Sequence, residues 1–528
     1  EICACLVGSE MCIRDRSRVI EKGTKNEFYT VNLFSDYSRQ LGDHYFKVMG
    51  GFNAEHQNVR TLSTQRDGII VPDLPTIDTS TEQDVAGGGY NHWATAGFFG
   101  RLNYNYKEKY LLEVNGRYDG TSRFMKDQRW NFFPSFSLGW NVARENFWKP
   151  LESVVNQFKL RGSWGELGNQ NTSNLYPFYE ILPVKSNSGN WLVNGGKTNT
   201  ADIPSLVSTL LTWERVRSFN VGFDFGAFSN RLTGSFDYFV RKTVDMVGPV
   251  PQLPLVLGIA PAIVNNADMK SYGFEIELSW RDRIGEVDYG VKFNLADAQQ
   301  KVVKYPNTTN AFSDWYAGKM SGEIWGYTSL GIAKTDEEMK EHLASLPNGG
   351  QNQLGNKWGA GDIMYADING DGKIDGGKGT LADPGDQRII GNSTPRYNFG
   401  LVLDASYKGF DVSIFFQGVG KRDYAPIVGT NGAVFWGAVN NIWQSMAMEE
   451  HFDYFRPEGH PMGANLNGYY PRPDFTSNKN HQVQTRYLQD ASYIRLKNLQ
   501  IGYTLPKQWI NNCLLYTSPS PRDMRRSR

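Results

Sequence analysis

Apolar and polar residues alternate with period two over stretches of about ten residues, the length that carries a tilted strand across a bilayer. In the clearest stretch Phe46, Val48, Gly50, Phe52 and Ala54 share one face, while Lys47, Met49, Gly51, Asn53 and Glu55 share the other. One face suits lipid and the other water. The pattern returns at Ala96, Phe98, Gly100, Leu102 and Tyr104, then at Leu112, Val114, Gly116 and Tyr118, with only Lys107 to Lys109 between the two. Phe219 to Phe225 and Leu232 to Val240 form a second pair, joined through Ala227 to Arg231. Phe274 to Trp280 pairs with Tyr289 to Leu295, and Phe399 to Ala405 pairs with Phe410 to Phe416 through a tight turn at Lys408 and Gly409. Near the end the parity slips by one around Lys497 and Asn498, which predicts a β-bulge.

Between these hairpins run long connections, at about 57–91, 169–212, 243–271, 299–396 and 418–486. Short turns alternating with long loops are the habit of outer-membrane barrels, with turns on the periplasmic side and loops outside. The expected fold is therefore all-β, a transmembrane antiparallel β-barrel with about thirteen strands present here and long extracellular loops. A soluble β-sandwich or propeller is the alternative, but strands of this length with charge confined to one parity fit it poorly.

Composition agrees. No run of about 18 apolar residues exists, so a membrane crossing has to be made by strands. Lys plus Arg and Asp plus Glu balance at 55 each, which leaves no electrostatic footprint for nucleic acid. All four cysteines, Cys3, Cys5, Cys12 and Cys513, lie near the two ends. The end stretches, GSEMCIRDR (Gly8 to Arg16) and LLYTSPSPRD (Leu514 to Asp523), do not continue the alternation and resemble translated sequencing adaptors. The expected division is a non-native tip over 1–16, a partial barrel over 17–512 and a second non-native tip over 513–528.

Four stretches carry a family resemblance. FKLRGSWGELGNQ (Phe158 to Gln170), AGKMSGEIWGY (Ala317 to Tyr327), DINGDGKID with GNSTPRYNFGL (Asp367 to Asp375, Gly391 to Leu401) and RYLQDASYIRLKNLQIGYTLP (Arg486 to Pro506) occur in the order seen in SusC/RagA-type TonB-dependent transporters. The chain resembles that family over nearly all of residues 20 to 512. The resemblance implies a barrel of about 22 strands filled by a plug, energised through TonB and lidded by a SusD-like surface lipoprotein. It also implies a place in the bacterial cell outer membrane and import of oligosaccharides or peptides, with no chemistry on the solute. The plug, the TonB-contacting segment and the last strands are expected to lie outside this chain. A siderophore or cobalamin receptor is the rival within the class, and a secreted glycan-binding or glycoside-cleaving β-protein the rival outside it.

Candidate chemistry is sparse. Asp367, Asn369 and Asp371, followed by Gly372 and Ile374, have the spacing of a calcium loop, but Lys378 stands where the bidentate Glu belongs, so a later carboxylate, Asp375, Asp383 or Asp386, has to complete the shell. The expectation is a structural calcium, with a metal-free Asx-rich turn as the alternative; no other cofactor is implied. Loop rings at Tyr176, Tyr179, Trp191, Trp315, Tyr316, Trp325, Trp436 and Trp443 suit either sugar stacking or packing of the loops on themselves. Arg101, Glu113, Arg117, Asp224, Asp237, Glu275, Glu277 and Lys292 are expected to face the lumen. A capped helix is predicted from Thr335 to Leu343, with Glu338 three residues after the cap. There is no nucleophile elbow, zinc spacing or phosphate loop, so no catalytic residue is expected.

Overall fold

The structure is a computed structural model, and it describes residues 17–506 apart from 83, 173, 249–257, 260–261, 427–433, 438–447 and 475–477. Both cysteine-bearing tips and Trp443 lie outside the described residues. A single antiparallel sheet of thirteen strands, each paired with its neighbours in chain order, carries the fold. We number them β1 (Arg18–Leu41), β2 (His44–Asp67), β3 (Asp84–Tyr106), β4 (Tyr110–Thr121), β5 (Trp130–Asn141), β6 (Val155–Asn169) and β7 (Glu214–Ala227). The series continues with β8 (Leu232–Gly248), β9 (Val264–Ile284), β10 (Val287–Lys304), β11 (Arg396–Tyr407), β12 (Phe410–Lys421) and β13 (Tyr493–Tyr503).

Pairing in chain order puts every tight connection on one edge of the sheet. That edge holds 42–43, 107–109, 142–154, 228–231, 285–286 and 408–409, and the opposite edge holds 68–83, 122–129, 170–213, 249–263, 305–395 and 422–492. The alternation expected from sequence is thus present. The tightest turns use left-handed backbone: Lys408 and Gly409 have φ of 47° and 91°, the geometry that matches the twist of a two-residue hairpin. The expected bulge is also found, since Phe415 pairs with Asn498 and Phe416 with Leu496, which leaves Lys497 unpaired.

The strands are longer than the apolar alternation predicted. β1 and β2 have 24 residues each and stay in register from Arg18 opposite Asp67 to Leu41 opposite His44. The connection expected at 57–91 shrinks to 68–83, and that at 243–271 to 249–263. The added segments, such as Asn58 to Gln65, are mostly polar, with Val59 and Leu62 on opposite parities and no apolar alternation. A strand in water needs hydrogen-bonded neighbours but no apolar face, so a search for apolar period misses it.

The two faces of the sheet differ as a membrane wall requires. On one, Phe98, Leu138 and Ile501 are 56%, 63% and 72% exposed, within a continuous band of large apolar side chains. Such a band marks a lipid-facing surface. On the other face Arg101 lies 3.9 Å from Glu113, Arg117 2.9 Å from Asp119, and Arg161 pairs with both Asp224 and Asp237 at 3.2 and 2.5 Å. An arginine on the apolar band therefore conflicts with the fold where one on the inner face does not. Phe98→Arg is expected to cost about 2–4 kcal/mol and to remove the heat-modifiable folded band on unheated gels. Glu277→Arg, on the inward face of β9, is expected to leave that band intact.

Candidate functional site

The inward wall is the first part of the site. Strand parity places Lys159 and Arg161 of β6 inward, because Phe158, Leu160 and Trp164 take the lipid side. Arg161 then bridges from β6 across Asp224 of β7 to Asp237 of β8. Beside it Glu113 accepts from Asn103 and Asn115 at 2.5 and 2.8 Å. A cavity of about 460 Å³ lies against this wall, lined by Tyr45, Asn103, Glu113, Ser137, Lys159 and Arg161. Of the lumen residues expected from sequence, Arg101, Glu113, Arg117, Asp224 and Asp237 are drawn into these contacts. Glu275, Glu277 and Lys292 share the inward face without joining an ion pair among the described residues. Arg161 and Lys159 were legible from the same alternation but were not singled out.

The two longest loops, 305–395 and 422–492, build the second part. They are not separate excursions. Tyr327, Leu346, Ile363, Tyr365 and Ile374 from the first pack with Trp436, Tyr470 and Tyr487 from the second into one buried core. Backbone bonds stitch the two together, with Tyr327 N donating to Val483 O at 2.8 Å and Thr485 N to Tyr327 O at 3.0 Å. Within the first loop, helix α1 (Asp336–Ala344) begins as predicted, with Thr335 Oγ1 accepting from Glu338 N at 3.1 Å. The loop aromatics divide: Trp436 is core, Tyr316 is buried and donates to Glu323 at 2.6 Å, and Trp325 stacks on Phe312 at 4.6 Å. Tyr179, Trp191 and Trp315 are exposed.

A buried charge cluster fixes this cap. Asp362 is wholly buried and accepts from Arg472 Nε and Nη2 at 2.9 and 2.6 Å, from Lys479 Nζ at 2.9 Å, from Asn480 Nδ2 at 3.0 Å and from Gly359 N at 2.9 Å. Lys479 also sits 5.0 Å above the ring of Trp358. Every lone pair of the carboxylate is engaged, the condition under which buried ions are tolerated. Sequence reasoning missed this cluster, because its members are more than a hundred positions apart and follow no spacing rule.

The calcium-spaced residues sit on the same cap. Asp367 accepts from Gly370 N and Gly372 N at 2.7 and 2.8 Å, Asn369 from Asp371 N at 3.0 Å, and Asp375 from Gly377 N at 2.8 Å. The Lys373 ammonium lies 2.5 Å from Asp375 and holds its carboxyl below the usual range. Asp386 accepts from Ile368 N and Asp375 N at 2.8 Å each, and burial raises its carboxyl above the usual range. Among the described residues no three carboxylate, imidazole or thiol groups converge on one point. Each side chain is thus engaged with its own loop, and calcium rests on the sequence spacing alone.

Asp362→Ala removes the acid that Arg472 and Lys479 share, and leaves the buried Lys479 to Asp474 at 3.7 Å. It is expected to cost the cap about 3–5 kcal/mol, read as lost hydrogen-exchange protection across 359–365 and 479–487 while the strands stay protected. His481 lies tilted against Trp436, ring centroids 4.3 Å apart, and burial depresses its imidazole to about 4. The unfolded cap binds that proton first, so stability is fully present above about pH 6.5 and falls as the pH drops toward about 4. His481→Gln is expected to flatten that slope in melts of the cap.

Comparison with known proteins gives this architecture its relatives. The family described as TonB dependent receptor-like, beta-barrel, matches residues 14–517. TonB-dependent receptor P3 of Formosa agariphila is 28% identical over 519 residues, covering 92% of this chain and 47% of that protein. TonB-dependent receptor SusC of Bacteroides thetaiotaomicron is 24% identical, covering 90% and 44%. The solved RagAB peptide transporter superposes with a TM-score of 0.74 at 18% identity, over 95% of this chain and 51% of that one. The chain spans about half the length of the relatives it matches. These are outer-membrane receptors rather than enzymes. With its apolar outer band, charged inner wall and folded extracellular cap, the chain belongs to the TonB-dependent receptor β-barrel family.

Proposed function

We propose that this segment is the barrel wall and extracellular cap of an importer that carries oligosaccharides or peptides across the outer membrane, driven through TonB and lidded by a SusD-like lipoprotein. The observation that carries the reading is the inner wall. Its polar side chains, with Arg161 spanning three strands, face a space that the apolar outer band separates from lipid. Such a wall suits a large hydrated solute better than an apolar chelate. The similarity to SusC and to RagAB supports the partner and the cargo class.

The test is genetic and biochemical. Deleting the gene in its source bacterium is expected to abolish growth on one oligosaccharide or peptide supply while leaving growth on the corresponding monomers unchanged. The protein is expected in the detergent-solubilised outer membrane, co-purifying with a surface lipoprotein. Growth lost only under iron or cobalamin limitation assigns the siderophore or cobalamin reading, and protein recovered from the medium assigns the secreted one.

We also propose, from spacing, that Asp367, Asn369, Asp371 and Asp375 take a calcium ion, with Lys373 turned away. Calorimetry on the detergent-solubilised protein is expected to show one saturable calcium site that Asp367→Asn removes. Equal heats from both proteins assign the loop to its metal-free turns.

A further inference from the structure

Arg123, between β4 and β5 on the long-loop edge, has no counter-charge among the described residues. It is nine-tenths buried, yet it forms no ion pair among the described residues. Its Nε is buried without a partner, and its Nη1 reaches only Asn171 Oδ1, at 3.4 Å. The guanidinium lies 5.1 Å above the ring of Trp93. Trp93 belongs to the inward parity of β3 and is fixed by its Nε1 donating to Gln57 Oε1 at 2.6 Å. Tyr176 closes one side, donating to His92 O at 2.9 Å and standing 3.2 Å from Ser122 Oγ. The contrast with Lys479 is direct, since that more deeply buried cation shares Asp362 with Arg472.

A buried guanidinium without an acid is unfavourable, and a fold keeps it where a ligand supplies the missing charge. We propose that Arg123 is an anion receptor at the extracellular mouth, taking the carboxylate of the imported solute: an acidic sugar unit or the C-terminus of a peptide. The planar fork pairs with a carboxylate through two parallel N–H···O bonds. Trp93 holds the plane of the fork, and Asn171 leaves room for an exchange of partners because its bond is long. The inference rests on the importer reading and narrows it to solutes bearing a carboxylate.

The experiment uses the protein purified from its own outer membrane and two probe pairs. One pair is trigalacturonate and its methyl ester, the other tetra-alanine with a free or an amidated C-terminus. In one pair the wild type is expected to bind the carboxylate form at least about tenfold more tightly than the neutral form. That pair names the source of the anion. Arg123→Met is expected to abolish the preference while melting at or above the wild-type temperature, and Arg123→Lys to keep part of the preference. The proposal is overturned if the wild type shows no preference in either pair, if Arg123→Met keeps it, or if Arg123→Met lowers the melting temperature with binding unchanged. Gel heat-modifiability reads the barrel separately. A barrel that behaves normally while the preference fails removes this inference and leaves the importer reading standing.

Discussion

The constraint on which the rest depends is that no backbone N–H or C=O can go unpaired in hydrocarbon. A strand meets it only by bonding to a strand on each side, so the chain is laid down as successive antiparallel neighbours, β1 to β13, without a crossover. Period two follows, because a pleated wall with lipid on one side and water on the other has to alternate. The separation of tight turns from long loops follows as well: each hairpin returns to the same edge, and the longest loops are displaced to the other.

Freed from lipid, the long-loop edge builds in a different manner. The cap over 305–395 and 422–492 packs like a small soluble domain, with a tyrosine-rich core and a carboxylate shared by two cations. Asp362 is to the cap what strand pairing is to the wall. It makes two segments distant in sequence fold as one, because its donors come from both. The rings of Trp436 and Tyr487 are consumed by that core, whereas Trp315 on the cap and Tyr179 and Trp191 on a different loop stay open to solvent.

Much of the wall was legible in the sequence because its physics is local. Parity assigns Phe98 outward and Arg101 inward, a slip of parity marks Lys497, and Thr335 with Glu338 marks a helix start. Features that depend on partners far along the chain were not legible. No local rule joins Asp362 to Arg472 and Lys479, or sets Arg123 over Trp93. The polar extensions of β1 to β3 were hidden for another reason, since backbone pairing in water leaves no apolar trace. The Asp367 loop shows the limit of spacing, for the same residues that spell a cation loop also satisfy their own turns.

The unequal height of the wall has a consequence of its own. β3 pairs with β4 only from Thr95 onward, so residues 84–94 rise with β1 and β2 above their neighbour. At about 3.3 Å per residue that is a palisade roughly 35 Å tall, comparable with the thickness of the hydrocarbon itself. Among the other described strands only β9, with 21 residues, comes near β1 to β3 in length. Over 84–94 β3 has β2 on one side and no strand of the sheet on the other, an open edge that water can satisfy and hydrocarbon could not, so the length of the step between β3 and β4 marks how far the wall reaches beyond lipid.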